Sequence, residues 1–264
     1  MTRIVILGAA GRMGQALLRC SRRFPDLRVA AAIEAVGHPS LGQDADLLAG
    51  AGRLDVPLVA GPAPAADVVV DFTFHTAAPA NLSAAASANL AVVLGTTGLT
   101  PAEQGAVRDA ARRVPVVWEP NMSLGVNVLL DLVRRAAAML GPAYDAEIVE
   151  MHNRHKKDAP SGTALALAEA LAAGRTVRLQ DVARHGRSGI TGERPAGEIG
   201  IHAVRGGDVV GDHTVSFAGD GERVELVHRA TSRDAFAMGA LQAASWIAGR
   251  PAGLYTMRHV LGLD

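Results

Sequence analysis

Cysteine, lysine and long hydrophobic runs are scarce in this sequence, and each scarcity limits the class of protein. The only cysteine is Cys20, which excludes a disulfide framework and a cysteine-rich metal site. No apolar run reaches the roughly 18 residues of a membrane span, and the first residues lack the layout of a signal peptide. Since 26 basic and 26 acidic residues balance, the sequence is not that of a strongly basic nucleic-acid binder. We therefore expect a cytoplasmic protein without a membrane or nucleic-acid partner.

Of the 26 basic residues, only Lys156 and Lys157 are lysine, and all the others are arginine. Lysine is a compact charge that can release its proton, whereas arginine keeps its proton. One interpretation is that lysine persists here because arginine would fail. The other is that both lysines lie on a solvated surface.

The 264 residues, 49% of them hydrophobic, are enough for one large domain or two smaller ones. Apolar runs alternate with helical patterns in the first part of the chain. The runs are Ile4–Leu7, Leu27–Ile33, Val68–Phe72, Leu90–Leu94 and Val114–Trp118. Thr100, followed by Pro101 and Glu103, predicts a capped helix start. Buried strands alternating with helices predict an α/β fold with a parallel sheet covered on both faces.

Beyond Asn121 the pattern changes, which predicts an inserted α+β domain. The predicted elements are helix Val126–Leu140, strand Ile148–Glu150, helix Ser161–Ala173 and a long loop over residues 184–200. Three alternating runs then predict an antiparallel meander. They are Ile201–Arg205, Val209–Phe217 and Arg223–His228. Because a helix over Arg233–Ile247 returns to the first domain, we predict one domain of residues 1–123 with 233–264 and another of 124–232.

A glycine-containing loop follows the first strand and opens a helix, as a dinucleotide-binding fingerprint requires. The loop consists of Gly8, Ala9, Ala10, Gly11, Arg12, Met13 and Gly14. Its spacing is unusual because Ala10 stands in the position of the middle glycine. Glu34 ends the next strand 20 residues after Gly14, where an acid accepts hydrogen bonds from the adenosine ribose. We interpret this as a Rossmann-type dinucleotide-binding domain; the alternative is an ordinary strand–turn–helix unit.

Two further segments follow predicted strands at the edge where open α/β sheets bind ligands. They are Gly95-Thr96-Thr97-Gly98 and Glu119-Pro120-Asn121-Met122. Taken alone, the glycine turn is as typical of a plain connection as of a binding site.

The segment from Glu150 to Ala164 has the densest chemistry. Five of its residues can carry positive charge: His152, Arg154, His155, Lys156 and Lys157. A helix capped by Ser161 or Thr163 follows, so this basic loop beside helix N–H groups suits a di-anion. His152 can act as an acid or a base, whereas His152 with His155 offers two metal ligands and no obvious third, so we expect no metal. The alternative is a solvated charged surface.

Three motifs together resemble the dihydrodipicolinate reductase family. They are the glycine loop with Arg12-Met13, the Gly95-Thr96-Thr97-Gly98 turn, and His152-x-x-x-Lys156-x-Asp158-Ala159-Pro160-Ser161-Gly162-Thr163-Ala164. Later segments fit in order, so the resemblance covers nearly the whole chain. It implies reduction of 4-hydroxy-tetrahydrodipicolinate to tetrahydrodipicolinate with NADH or NADPH, on the route to diaminopimelate and lysine. It also implies a homotetramer built through the inserted substrate-binding domain.

The resemblance also implies roles for individual residues. Gly8, Ala9, Ala10, Gly11, Arg12 and Met13 would hold the pyrophosphate, and Glu34 the ribose. The nicotinamide end would be lined by Gly95, Thr96, Thr97, Glu119, Pro120, Asn121 and Met122. His152 would be the acid/base residue and Lys156 the proton donor. The substrate would be held by Asn153, Ser161, Gly162 and Thr163.

The sequence departs from the family pattern at several of these positions. Asn153 replaces a more frequent histidine, Glu119 and Pro120 replace small residues, and Met122 stands where an aromatic residue often flanks the cofactor. Since Ala35 offers no cation for a 2′-phosphate, we expect NADH to be used at least as well as NADPH. Two alternatives stay open: a reductase of another amino-acid precursor, and a non-catalytic NAD(P)H-binding regulator.

Overall fold

The computed structural model describes residues 1–52, 55–63 and 65–263, in which the chain forms two compact units. The first unit is Met1–Leu124 with Arg233–Asp264, and the second is Gly125–Ser232. The strands are β1 Thr2–Leu7, β2 Leu27–Ile33, β3 Leu58–Val59, β4 Val68–Asp71, β5 Ala91–Leu94, β6 Pro115–Trp118, β7 Asp145–His152, β8 Ala183–His185, β9 Ile199–Arg205, β10 Gly211–Gly219, β11 Glu222–Ala230 and β12 Gly253–Tyr255. The helices are α1 Arg12–Ser21, α2 Ala45–Leu48, α3 Ala78–Ser87, α4 Pro101–Ala111, α5 Leu124–Leu140, α6 Gly162–Gly174, α7 Leu179–Val182, α8 Asp234–Ile247 and α9 Met257–Leu261.

The first unit contains a parallel sheet whose strands lie in the order β12-β6-β5-β4-β1-β2-β3. The predicted α/β fold with a parallel sheet is confirmed, and each predicted apolar run contains a strand. Successive strand residues serve opposite faces: Ile4 and Ile6 pack in one apolar cluster with α1 and α8, and Val5 packs in another with α3 and α4. Sequence reasoning missed β3 and β12.

Helix starts in this unit follow their sequence signals. Thr100 Oγ1 accepts the N–H of Glu103, and the Glu103 carboxylate accepts the N–H of Thr100, so the predicted cap is a complete capping box. Helix α8 packs closely because Gly239 has no side chain: a Cβ there would overlap the carbonyl of Met122. This helix belongs to the first unit.

The second unit contains a mixed sheet in the order β11-β10-β7-β9-β8. The predicted antiparallel meander is wrong, because β7 lies between β9 and β10 and pairs in parallel with β9. The long connection through α6 makes this parallel pairing possible. The turn after β9 bonds to the end of β7, with the N–H of Gly206 donating to the carbonyl of His152 at 2.9 Å. The turn therefore crosses the end of β7 and connects two strands, β9 and β10, that are not neighbours in the sheet. Of the predicted meander, only the pairing of β10 with β11 is confirmed.

The inward face of the second sheet supports the core of this unit. Ala146 and Ile148 of β7 and Val215 and Phe217 of β10 are buried together with residues of α5 and α6. The predicted loop over residues 184–200 is shorter at both ends, because β8 and β9 include its first and last residues. Across the described ranges, no helix combines the length and apolar character needed to cross a membrane.

Candidate functional site

The glycine loop after β1 is so tightly packed that a side chain would not fit at Gly8 or Gly14. Gly8 has a positive φ of 66°, and the N–H of Gly11 donates to its carbonyl at 3.0 Å. A Cβ on Gly14 would overlap the Gly8 carbonyl and lie 2.5 Å from Ala9 Cα. The start of α1 therefore packs directly on the backbone of this loop, as the tight turn of the fingerprint interpretation requires.

Glu34 lies beside this loop, at the end of β2. Its carboxylate accepts hydrogen bonds from the N–H of Ala10 and from the N–H of Ala35, each at 3.0 Å. The N–H of Ala9 donates to the carbonyl of Ile33 at 3.1 Å. The structure thus brings the predicted ribose-binding acid and the predicted pyrophosphate loop together.

A cavity of about 480 Å³ lies within the first unit. Seven of the predicted cofactor residues line it: Arg12, Met13, Gly95, Thr96, Thr97, Pro120 and Met122. Sequence reasoning missed the other six: Phe72, Thr73, Phe74, His75, Arg233 and Phe236. Their position could have been foreseen in part, because the segment 72–75 follows β4 at the same sheet edge.

Asp71, buried at the end of β4, shapes one wall of the cavity. Its Oδ1 accepts the N–H of Thr73 at 2.8 Å and the Thr73 hydroxyl at 2.7 Å, and its Oδ2 accepts the amide of Asn81 at 2.9 Å. Thr96 Oγ1 in turn donates to the carbonyl of Thr73 at 3.1 Å. This network joins the turns that follow β4 and β5.

Of the residues predicted for the nicotinamide end, Glu119 and Asn121 are not among those that line the cavity. The Glu119 carboxylate accepts the N–H of Met257 at 3.5 Å. Burial raises the pKa of Glu119, although this hydrogen bond opposes the shift. Asn121 Oδ1 accepts the N–H of Ser123 at 3.0 Å. Glu119 thus links the end of β6 to the start of α9, and Asn121 bonds to backbone two residues further along.

In the second unit, the inward face of β7 changes from apolar to charged along the strand. Ala146 and Ile148 are followed at the same phase by Glu150, which is fully buried, and by His152, which is 9% exposed. His152 Nδ1 and Glu150 Oε2 are 2.6 Å apart. The predicted acid/base residue therefore has a buried carboxylate as its partner.

Glu150 is surrounded by further donors. Arg205, opposite His152 on β9, donates from Nη1 to Oε2 at 2.9 Å and from Nη2 to Oε1 at 3.0 Å. The N–H of Ser161 donates to Oε1 at 3.0 Å. Burial works to raise the pKa of Glu150, but hydrogen bonds from Arg205, His152 and Ser161 outweigh it, and the pKa is lowered. Glu150 is therefore a carboxylate at neutral pH.

His213 of β10 closes another side of His152. It is 4% exposed, its ring packs edge-on at 5.2 Å from the His152 ring, and its Nε2 lies 3.3 Å from Ser161 Oγ. Burial foremost, and then the nearby His152, lower the pKa of His213 to about 4, so it is neutral near pH 7. Sequence reasoning gave Glu150, Arg205 and His213 no role. The signal for Glu150 was its phase with His152 on one strand.

Lys156 and Lys157 lie in different environments. Lys156 Nζ is 2.9 Å from each carboxylate oxygen of Asp158, and its side chain is 22% exposed. Lys157 is exposed, as is His155. Nowhere in the described ranges do three His, Cys, Asp or Glu side chains converge as metal ligands.

The predicted substrate residues lie around the start of α6. Ser161 is the N-cap, and its Oγ accepts the N–H of Ala164 at 3.1 Å, while Gly162 and Thr163 form the first helical positions. Asn153 donates from Nδ2 to the carbonyl of Val209 at 3.3 Å and accepts the N–H of His155 at 3.1 Å. A helix start, Lys156 and the Glu150–His152 pair thus belong to one segment of the second unit.

Both halves of the chain match models of one family. The model described as dihydrodipicolinate reductase, N-terminus, matches residues 2–122, and the model described as dihydrodipicolinate reductase, C-terminus, matches residues 125–261. Together the two matches span nearly all of the chain.

Individual relatives agree with the family models. The chain is 53% identical to the 4-hydroxy-tetrahydrodipicolinate reductase of Anaeromyxobacter dehalogenans (strain 2CP-C), covering 100% of this chain and 98% of that one. It is 50% identical to the enzyme of the same name from Myxococcus xanthus, covering 100% and 99%. A solved structure of a dipicolinate-bound dihydrodipicolinate reductase from Paenisporosarcina sp. TG-14 superposes with a TM-score of 0.75, covering 97% of both chains at 22% identity. This likeness shows a shared fold.

Proposed function

The chain belongs to the dihydrodipicolinate reductase family, and from this premise we propose how its residues divide the work of the reaction. It is an NAD(P)H-dependent oxidoreductase that reduces 4-hydroxy-tetrahydrodipicolinate in diaminopimelate and lysine biosynthesis. The two alternatives, a reductase of another amino-acid precursor and a non-catalytic regulator, are therefore not retained. Because its relatives are biosynthetic reductases, we propose that the protein works in the cytoplasm.

We assign cofactor binding to residues 1–123 and 233–264. The glycine loop suits a pyrophosphate, since it leads directly into α1, whose start has no side-chain cap and whose first N–H groups favour an anion. In this proposal Gly8, Ala9, Ala10, Gly11, Arg12 and Met13 hold the pyrophosphate. When bound, the cofactor supplies a hydride to C4 of the substrate ring. The nicotinamide end is assigned to Gly95, Thr96 and Thr97 and to the stretch from Glu119 to Met122.

Glu34 is proposed to bind the adenosine ribose and to favour NADH. Its carboxylate is fixed beside the loop by the N–H groups of Ala10 and Ala35. A carboxylate at this place accepts hydrogen bonds from ribose hydroxyls and repels a 2′-phosphate. Ala35 offers no compensating cation, and Arg12 is the basic residue of the adjoining loop.

We assign substrate binding to residues 124–232, with a dicarboxylate as the ligand. The N–H groups of Gly162 and Thr163 at the start of α6 suit a carboxylate, and Ser161 and Asn153 add polar contacts. A relative of the same family was solved with dipicolinate, a planar dicarboxylate. The ligand of that relative supports a substrate with two carboxylates.

Proton transfer is assigned to His152 and Lys156. The observation that carries this assignment is the pair of charge contacts in one segment: His152 on the buried carboxylate of Glu150, and Lys156 on Asp158. Reduction of the ring displaces an electron pair that must take up a proton. Lys156 supplies that proton and attracts the substrate carboxylate, and His152 serves as acid or base.

A lysine-to-arginine exchange tests the proton-donor role. Lys156→Arg keeps the charge, but a guanidinium does not release its proton. We expect kcat to fall by a factor of about 10² or more while NADH affinity stays unchanged. The matched control is Lys157→Arg, which changes an exposed neighbour and leaves kcat unchanged. Small and equal effects at both positions would remove Lys156 from the mechanism.

We further propose that the second unit forms the core of a homotetramer. The outward face of its sheet exposes three valines, Val149, Val204 and Val227, and β11 lies at one edge. Exposed β-branched residues and an open strand edge favour pairing between copies. Light scattering at micromolar protein is expected to give the mass of four chains, and a monomeric mass would refute the proposal.

A further inference from the structure

We infer that Glu150 is a positioning residue that fixes which ring nitrogen of His152 faces the substrate. This inference rests on the proposed acid/base role of His152. Both side chains lie on the inward face of β7, two residues apart, so their contact is set by the strand itself. The distance of 2.6 Å between His152 Nδ1 and Glu150 Oε2 is short for a hydrogen bond between a ring nitrogen and a carboxylate.

The hydrogen-bond donors around Glu150 fix the orientation of its carboxylate. Oε1 accepts from Ser161 N–H and from Arg205 Nη2, and Oε2 accepts from Arg205 Nη1 and from His152 Nδ1. Each oxygen therefore accepts two hydrogen bonds. An ionised carboxylate offers only acceptors, so Nδ1 of His152 must carry a hydrogen. In neutral His152, the lone pair able to take a proton then lies on Nε2.

The sheet leaves space beside Nε2 of the His152 ring. The neighbouring position on β10 is Gly211, where a Cβ would come within 2.9 Å of His152 Nε2. Among the residues that the structure describes, none makes a hydrogen bond to Nε2. His213, also on β10, packs its ring against His152 without bonding to it.

The burial of Glu150 argues that it does more than join strands. Removing a carboxylate from water is costly, and a buried ion pair is often no more stabilising than apolar residues of similar size. The preceding inward positions of the same strand are the apolar Ala146 and Ile148. A charged pair at the next position therefore calls for a reason beyond packing, and orienting His152 supplies one.

The first test is Glu150→Gln, which keeps the shape of the side chain and removes its charge. An amide can donate as well as accept, so His152 loses its fixed tautomer. We expect kcat to fall about tenfold to a hundredfold, with the KM for substrate within about threefold of wild type. Nitrogen-15 NMR of histidine-labelled protein reads the tautomer directly, with the His152 signals assigned by their loss in His152→Gln. We expect hydrogen on Nδ1 in the wild type and a mixture of tautomers in Glu150→Gln.

A double variant separates positioning from stability. Glu150→Gln alone leaves the charge of Arg205 unpaired, whereas Glu150→Gln with Arg205→Gln removes both charges together. We expect the double variant to melt closer to wild type but to keep the low kcat and the mixed tautomers. If the double variant regains wild-type kcat, or if Glu150→Gln keeps the wild-type tautomer or kcat, Glu150 does not position His152. His152→Gln with unchanged kcat would instead overturn the proposed role of His152, which makes the two failures distinguishable.

Discussion

The two units build their sites from different parts of the chain. In the first unit, loops that directly follow parallel strands present backbone atoms and small residues, as Gly8, Gly14 and Thr96 illustrate. In the second unit, charged and titratable side chains from three strands meet on one sheet face, as His152, Arg205 and His213 illustrate. The first site depends on the missing side chains of Gly8, which has a positive φ, and of Gly14, which lets α1 approach the loop closely. The second site depends on the order of the strands in the sheet.

This difference teaches where each unit is vulnerable. A single added methyl group disturbs a site formed by backbone, because there is no side chain that can move away. A site formed by paired charges tolerates added volume better but fails when one partner loses its charge. A substitution in one unit is therefore expected to leave the site of the other unit intact.

The largest effect on the first unit is expected from Gly14→Ala. The new Cβ would lie 2.5 Å from Ala9 Cα, so the backbone of the proposed pyrophosphate loop must shift. We expect NADH affinity to weaken by about a hundredfold or more, close to 3 kcal/mol, as measured by fluorescence titration. The matched control is Gly105→Ala in α4, where a Cβ meets nothing within 4 Å. It should leave NADH affinity unchanged and raise the free energy of unfolding by about 0.5–1 kcal/mol. NADH affinity within threefold of wild type in folded Gly14→Ala would contradict the loop's role.

The next largest effect is expected in the second unit, where it tests the contribution of a charged group, Glu147, on the outward face of the sheet. Glu147 accepts hydrogen bonds from Arg187 at 2.7 Å and 3.1 Å, from Arg194 at 3.0 Å, and from His202 at 2.7 Å. Burial works against ionisation, but these hydrogen bonds lower the pKa of Glu147 from 4.5 to about 2. Because the folded pKa is depressed, the stabilisation is present above about pH 4.5 and is lost as pH falls towards 2.

Glu147→Gln is therefore expected to lower the free energy of unfolding by about 2 kcal/mol at pH 7. The difference from wild type should shrink progressively between pH 4.5 and pH 2. Urea unfolding at pH 7 and at low pH measures both values. Glu193→Gln, at an exposed position of the segment between β8 and β9 that carries Arg187 and Arg194, is the matched control and should change neither value. A difference that grows as pH falls would contradict the assigned sign.

The smallest effect concerns cofactor choice in the first unit. We expect wild-type kcat/KM to be at least as high with NADH as with NADPH, and a preference for NADPH above about tenfold, or 1.4 kcal/mol, would contradict this. Glu34→Gln keeps an oxygen for the N–H of Ala10 but removes the charge that repels a 2′-phosphate. It should raise the ratio of NADPH to NADH efficiency by about tenfold. An unchanged ratio would mean that Glu34 does not face the ribose.

The two sites also differ in how far the sequence predicts them. The glycine loop, Glu34 and the turns after β5 and β6 follow their strands directly, so local pattern was enough to locate them. The three strands that were missed, β3, β8 and β12, have two or three residues each, too few for a period to appear. The lining residue Arg233 was missed because it lies far along the chain from the loop it accompanies.

In the second unit, local pattern identified strands but not their neighbours. The glycine-rich turn between β9 and β10 predicts a hairpin, yet β7 pairs between these two strands. Since Arg205 and His213 reach Glu150 and His152 only through this order, their contacts could not be predicted from spacing. His152 and Lys156 were found because their segment concentrates charge before a capped helix. Glu150 shares a face with His152, and this alternation alone could have identified it.

The central claim is that cofactor binding belongs to the first unit and proton transfer to side chains of the second. The most direct test is His152→Gln, measured for both NADH affinity and kcat. We predict an NADH dissociation constant within about twofold of wild type and a kcat lower by about a hundredfold. A dissociation constant that rises in parallel with the loss of kcat, or a kcat that stays at the wild-type value, would contradict the claim.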